Sequence, residues 1–182
     1  MDHLLQALSR PEAYPHPTGR IEVVETHISR IFLTRNWAYK LKKAVNLGFL
    51  DFSTLAKRKR CCHEELRLNR RLCPDIYHSV VPVMLSDGDY LVDAETNRGK
   101  IVDYAVKMVR FDRTMELDRL LSKKLLTNEL IEKISATVAV FHNSLPPAPP
   151  NTPFGHPDII IRPVLANFTH TEEITSDLEE AA

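Results

Sequence analysis

Apolar and polar residues alternate with a period of two through much of the chain up to Val109, interrupted by one long stretch of helical spacing. Ile21 to Thr26, Arg30 to Thr34 and Trp37 to Lys43 read as three strands, the first two joined by a turn at His27-Ile28-Ser29. On the third, pleating puts Trp37, Tyr39 and Leu41 on one face and Ala38, Lys40 and Lys42 on the other. The linker Asn46 to Phe52 leads to Ser53–Leu72, which contains no Gly or Pro and reads as a long helix with Ser53 as its N-cap. Strand-like runs follow at Val80–Leu85 and Tyr90–Val92 around a Ser86-Asp87-Gly88-Asp89 turn, counted together as the fourth strand, and Lys100–Val109 completes the sheet as a fifth. The predicted fold class is α+β: an antiparallel five-stranded sheet crossed by one long helix.

The two ends have a different character. Residues 3–9 suggest a short helix, and Pro11, Pro15 and Pro17 punctuate the lead-in that follows. Past Phe111, Met115–Leu121 and Thr127–Asn143 have helical spacing, with Leu130, Ile134, Val138 and Phe141 recurring every three or four residues. Pro146 to Pro150 stop that helix, residues 151–163 read as a loop, and an acidic helix is expected over Thr171–Glu180. Three segments result: a lead-in over 1–20, a compact α+β lobe over 21–109, and a partial helical lobe over 110–182.

Lys40 and Glu65 carry the most chemical information. A small residue two positions before a lysine on one strand face leaves room for a flat ligand, with an ammonium just beyond it. A nucleotide fits that layout, its base over Ala38 and its phosphates at Lys40. On the helix, Glu64 has Arg60, Arg67 and Arg71 at positions −4, +3 and +7, which marks an exposed ion-pair face. Glu65 has Cys61, Cys62, Leu68 and Leu72 as its helical neighbours and lies on the apolar stripe. A carboxylate there needs a cation, because an unpaired buried charge is costly. Lys40 is the suitable partner; the plain alternative is two surface charges that never meet.

Composition narrows the class. The 182 residues are 43% hydrophobic and 26% charged, ordinary for a globular protein. No apolar run approaches the roughly 20 residues needed to span a bilayer, and Met1 to Leu5 do not resemble a signal peptide. Three cysteines, Cys61, Cys62 and Cys73, suit a reducing compartment, so a cytoplasmic protein without a membrane partner is expected. Net charge is zero but uneven: Arg35 to Arg71 hold eleven Lys or Arg against three acids, and Glu172 to Ala182 hold five acids and no base. Lys57-Arg58-Lys59-Arg60 fan out around a helix and no aromatic set interleaves them, which argues against nucleic acid as the ligand. Cys61, Cys62, His63 and Cys73 cannot converge on one metal, because adjacent helical residues point about 100° apart. Neither a P-loop nor a Gly-x-Ser-x-Gly elbow occurs.

The runs Glu25 to Ser29, Ala38-Tyr39-Lys40-Leu41-Lys42-Lys43 and Gly48 to Leu55 together resemble the aminoglycoside phosphotransferase-like kinases, in particular the bacterial branch often fused to a P-loop kinase domain. Glu64 to Leu72, Val81-Pro82-Val83, Val106 to Phe111 and Phe141-His142 continue the likeness, which covers about residues 20 to 145. The resemblance implies a protein-kinase-like N-lobe followed by an incomplete second lobe. By it, ATP would bind with Lys40 on its phosphates, Glu65 orienting Lys40, Ala38 against the base and Met108 to Arg110 bordering the adenine. His27 to Ser29 would form the turn over the phosphates, with Ser29 offering a backbone N–H in place of the missing glycine-rich loop.

The catalytic half of that pattern is not in view. The family would place a His-x-Asp with an Asn five residues later in the second lobe, and a second Asp to hold Mg2+. Here His156-Pro157-Asp158 is followed at that spacing by Pro163, which has no ligand to give. The expectation is therefore an ATP-binding lobe without its catalytic centre or Mg2+ ligands, acting toward an unspecified small-molecule phosphate acceptor. The rival is an inactive interaction or regulatory module on the same scaffold. In either case the helices after Phe111 offer surfaces for a partner domain or a second copy.

Overall fold

The structure is a computed structural model and describes residues 3–94, 99–153 and 155–180. The chain divides into two compact units, Met1–Leu126 and Thr127–Ala182. The first is α+β. Its elements in chain order are α1 (His3–Leu8), β1 (Glu22–Glu25), β2 (Ser29–Leu33), β3 (Trp37–Lys42), α2 (Leu55–Asn69), β4 (Tyr77–Ser86), β5 (Asp89–Val92), β6 (Lys100–Val109) and α3 (Leu117–Ser122).

Among the described residues the strands form one antiparallel sheet in the order β1-β2-β3-β6-β4-β5. The sheet has six strands, not the five expected, because the short run after the Asp87-Gly88 turn pairs along β4 as an edge strand of its own. Asp87 and Gly88 both have positive φ (52° and 94°), the backbone that a tight hairpin demands.

Directly opposed residues share a face of a sheet, so the register sorts the side chains. Ser29 faces Lys42, Ile31 faces Lys40, and Leu33 faces Ala38; across the next ladder Ala38 faces Met108 and Lys40 faces Val106. These residues make one face. The other holds Phe32, Tyr39, Leu41 and Ala105, which form the main core with Val81, Val83 and Val92. Leu8, Ala13 and Tyr14 from the lead-in cover that core, and Tyr14 donates its hydroxyl to the Leu8 carbonyl at 2.7 Å. The proline-rich start is thus part of the fold; its prolines bend the chain from α1 toward β1 at little cost.

α2 lies against β6 and β4. Its N-cap is Thr54, whose hydroxyl accepts from the Lys57 N–H, rather than Ser53, whose own N–H and hydroxyl both donate to Asp51. The helix ends at Asn69, short of Leu72, and the expected apolar stripe is buried only in part. Arg58 and Cys62 are buried, but Leu68 near the helix end and Leu72 beyond it stand nearly half exposed.

The second unit contains α4 (Asn128–Asn143), capped by Thr127, and α5 (Pro157–Glu180). The loop expected to reach Pro163 ends at His156. Pro157 opens α5, where its missing N–H costs nothing, and Pro163 sits inside the helix at the loss of one backbone bond. Thr171–Glu180 is the end of that longer helix rather than a separate element. No helix among the described residues is long and apolar enough to cross a membrane.

Candidate functional site

The face of the sheet that carries Lys40 also carries a narrow apolar slot. Val24, Ile31, Leu33, Ala38, Met108 and Phe111 line it with Arg110, Arg113 and Glu116 at its polar side, around a cavity of about 120 Å3. The slot exists because Ala38 is small: it sits between Leu33 and Met108 in the ladder, where any larger β-branched residue would close the gap. Met108 contributes an adaptable thioether wall. Arg110 fixes the segment after β6, donating to the Thr34 carbonyl at 2.9 Å and to Glu22 at 2.7 Å. The Arg110 N–H bonds the Asn36 carbonyl and the Val109 N–H bonds the Ile76 carbonyl, so the end of β6 and the residue after it are anchored on both sides.

Lys40 stands two residues further along β3, roughly 7 Å from Ala38 on the same face. Its ammonium donates to Glu65 Oε1 at 2.8 Å. Glu65 Oε2 accepts from Lys42, which the sequence had placed on the same face without assigning it a partner. The lysines differ in environment. The Lys40 side chain is 27% exposed and that of Lys42 6%, with the Lys42 ammonium also 5.1 Å from the centre of the Phe52 ring. Burial pushes the Glu65 carboxyl up, but hydrogen bonds and charge from the two lysines outweigh it and hold the group below its ordinary value.

A second buried pair fastens α2. Arg58 Nε donates to Asp103 Oδ1 at 2.8 Å and Nη1 to the Phe52 carbonyl at 3.2 Å, while the Tyr104 N–H also bonds Asp103. Burial here exceeds the pull of Arg58, so the Asp103 carboxyl titrates above the usual range. Beside it the Cys62 thiol points at the Tyr104 carbonyl (3.7 Å), and burial pushes its pKa up to about 12, which makes it a packed and unreactive group.

Of the residues singled out from sequence, Ala38 and Met108 line one slot and Lys40 and Glu65 bond each other beside it. Ser29 lies apart from the slot. It is 1% exposed at the start of β2, its N–H is already given to the Thr26 hydroxyl at 3.0 Å, and its own hydroxyl is buried without a hydrogen-bond partner. A phosphate therefore cannot take the Ser29 N–H as expected without displacing Thr26. His156 and Asp158 are an exposed pair, 3.5 Å apart, where α5 begins. Among the described residues no group of three or more His, Cys, Asp or Glu side chains is placed to hold a metal ion.

No protein-family model matches the chain, and no solved structure matches it significantly. Uncharacterized proteins of Mycobacterium bovis and of two Mycobacterium tuberculosis strains are each 28% identical to it over 122 residues, 67% of this chain. The chain spans only about a fifth (22%) of the length of these relatives.

Proposed function

We propose that residues 1–126 form the ATP-binding lobe of a phosphotransferase of the aminoglycoside phosphotransferase-like kinase type. The observation that carries this reading is the alignment, on one sheet face, of an apolar slot lined by Ala38 and Met108 with a lysine held by a helical carboxylate, Lys40 to Glu65. The slot suits a flat, apolar base, and the lysine lies where the phosphates of a bound nucleotide would reach. Glu65 keeps the ammonium extended along the face instead of folded back to solvent, which is the positioning that phosphoryl-transfer lobes require. ATP carries Mg2+ in such reactions, and the role assigned to this chain is to bind and orient the nucleotide.

Transfer to an acceptor would need an aspartate and metal ligands at the spacing that Pro163 breaks. The chain alone is accordingly expected to bind ATP and to hydrolyse or transfer it negligibly. Titration calorimetry tests the reading: wild-type protein binds ATP, and Lys40→Met weakens that binding at least about tenfold. A wild-type protein that releases no heat with ATP and gains no thermal stability from it would defeat the proposal.

A second reading is favoured by one observation. α4 exposes Ile131, Ile134 and Val138, and α5 exposes Ile159, Ile160, Val164 and Phe168. An exposed apolar helix face of that kind fits a surface covered by another domain or a second copy. Light scattering across a concentration series distinguishes a self-associating chain from a monomer.

A further inference from the structure

We propose that Lys42 is a second positioning residue of the nucleotide site, keeping Glu65 neutralised when Lys40 turns to the phosphates. The inference rests on the nucleotide reading above and extends it to a residue outside the slot.

Two ammonium groups on one carboxylate leave a net positive charge on this face, one lysine to each oxygen of Glu65. A site with a single lysine would meet a conflict on binding. If Lys40 went to the phosphates, Glu65, only 12% exposed, would be left as a largely buried anion facing a polyanion. If Lys40 stayed with Glu65, its charge would already be spent. Lys42 removes the conflict, because Glu65 keeps a full ion pair whichever way Lys40 points.

The surroundings assign the two roles. Lys40 is nearer to Ala38 along β3 and more exposed, so it can move. Lys42 is enclosed by the Phe52 ring, by Glu65, and by the opposed strand at Ser29, which is itself buried. Ser29 also offers a hydroxyl with no partner, leaving Glu65 as the anion that Lys42 engages. The excess charge is then delivered as one mobile ammonium backed by one fixed ammonium, an arrangement that favours a polyphosphate over an uncharged nucleoside.

The test compares ATP with adenosine, because adenosine reads the slot alone and reports whether the fold survives. In wild-type protein ATP binds more tightly than adenosine. Lys42→Met lowers ATP affinity about tenfold, a loss of ~1.4 kcal/mol, and leaves adenosine affinity unchanged; Lys42→Arg restores the preference. Should Lys42→Met fail to fold, side-chain ammonium NMR of the wild type decides the matter. ATP shifts the Lys40 signal and leaves that of Lys42 in place, the two being assigned from Lys40→Met and Lys42→Arg. An ATP preference untouched in Lys42→Met, or a Lys42 signal that moves while that of Lys40 stays, overturns the assignment and spares the nucleotide reading. A wild type that binds neither ATP nor adenosine overturns both.

Discussion

Arg58 of α2 and Asp103 of β6 meet across 2.8 Å with only 10% and 8% of their side chains exposed. They lie 45 residues apart in sequence and tie the first turn of the helix to the sheet that carries Lys40. A buried pair of this kind is worth little against an apolar replacement, yet breaking it is expensive, because the remaining charge has no solvent to return to. Arg58→Met should therefore lower unfolding free energy by about 3 kcal/mol or more, measured by urea denaturation. The double variant Arg58→Met, Asp103→Leu should recover part of that loss. A double variant as unstable as the sum of both single changes would show that the pair is not the source of the cost.

The same pair marks where reading the sequence stops. Alternation located the strands, and helical spacing separated exposed Glu64, bonded to Arg67 at 2.7 Å, from Glu65 on the inner side. Those are local properties, set by how side chains alternate or rotate along one element. Arg58 stood within Lys57-Arg58-Lys59-Arg60 as one of four side chains fanning around a helix, with nothing to single it out, because its partner is fixed only when β6 comes alongside α2. Lys42 was legible as sharing a face with Lys40, but one carboxylate was matched with one cation, and the sequence gives no sign that Glu65 serves two. Residues 151–163 were read as a loop, although a helix already begun at Pro157 can lose one bond at Pro163 and continue. Arg110 was expected only to border the adenine, yet its grip on Glu22 and Thr34 depends on the sheet closing first.

Ala38 is the residue on which the slot depends. Ala38→Leu would fill the gap between Leu33 and Met108 with side chain, and the lost cavity would exclude a base while leaving Lys40 on Glu65. ATP affinity should fall at least about tenfold, with affinity for inorganic tripolyphosphate unchanged. If both ligands weaken together, the substitution has disturbed the strand and not the slot. If neither weakens, the base does not sit there.

The start of α2 offers a sharper check on local structure. Thr54 caps the helix by accepting from Lys57 N–H, so Thr54→Ala should cost about 1 kcal/mol. Ser53 makes its bonds to Asp51 in the exposed linker, where an equivalent change should cost clearly less. Equal losses in thermal unfolding would mean that the helix begins a residue earlier, at Ser53.

Acid should separate the two carboxylates that hold α2. Glu65 is held below its ordinary value of 4.5, against its burial, by Lys40 and Lys42. In the interval between its folded and unfolded values the unfolded chain binds more protons, so stability rises with pH there. The contribution of Glu65 is complete above pH 4.5 and is lost as pH falls through the lower folded value. Asp103 is raised above its ordinary 3.8, mainly by burial, and acts in the opposite sense: its contribution is greatest in acid and declines as pH climbs through the raised value. Urea midpoints measured from about pH 3 to about pH 7 should then show wild type exceeding Glu65→Gln by most at neutral pH, with the gap narrowing in acid. Against Asp103→Asn the difference should instead move in wild type's favour as pH falls. A Glu65→Gln gap that stays constant through the acid range would mean that Glu65 gains nothing from the two lysines on folding, and the paired-ammonium site would lose its electrostatic basis.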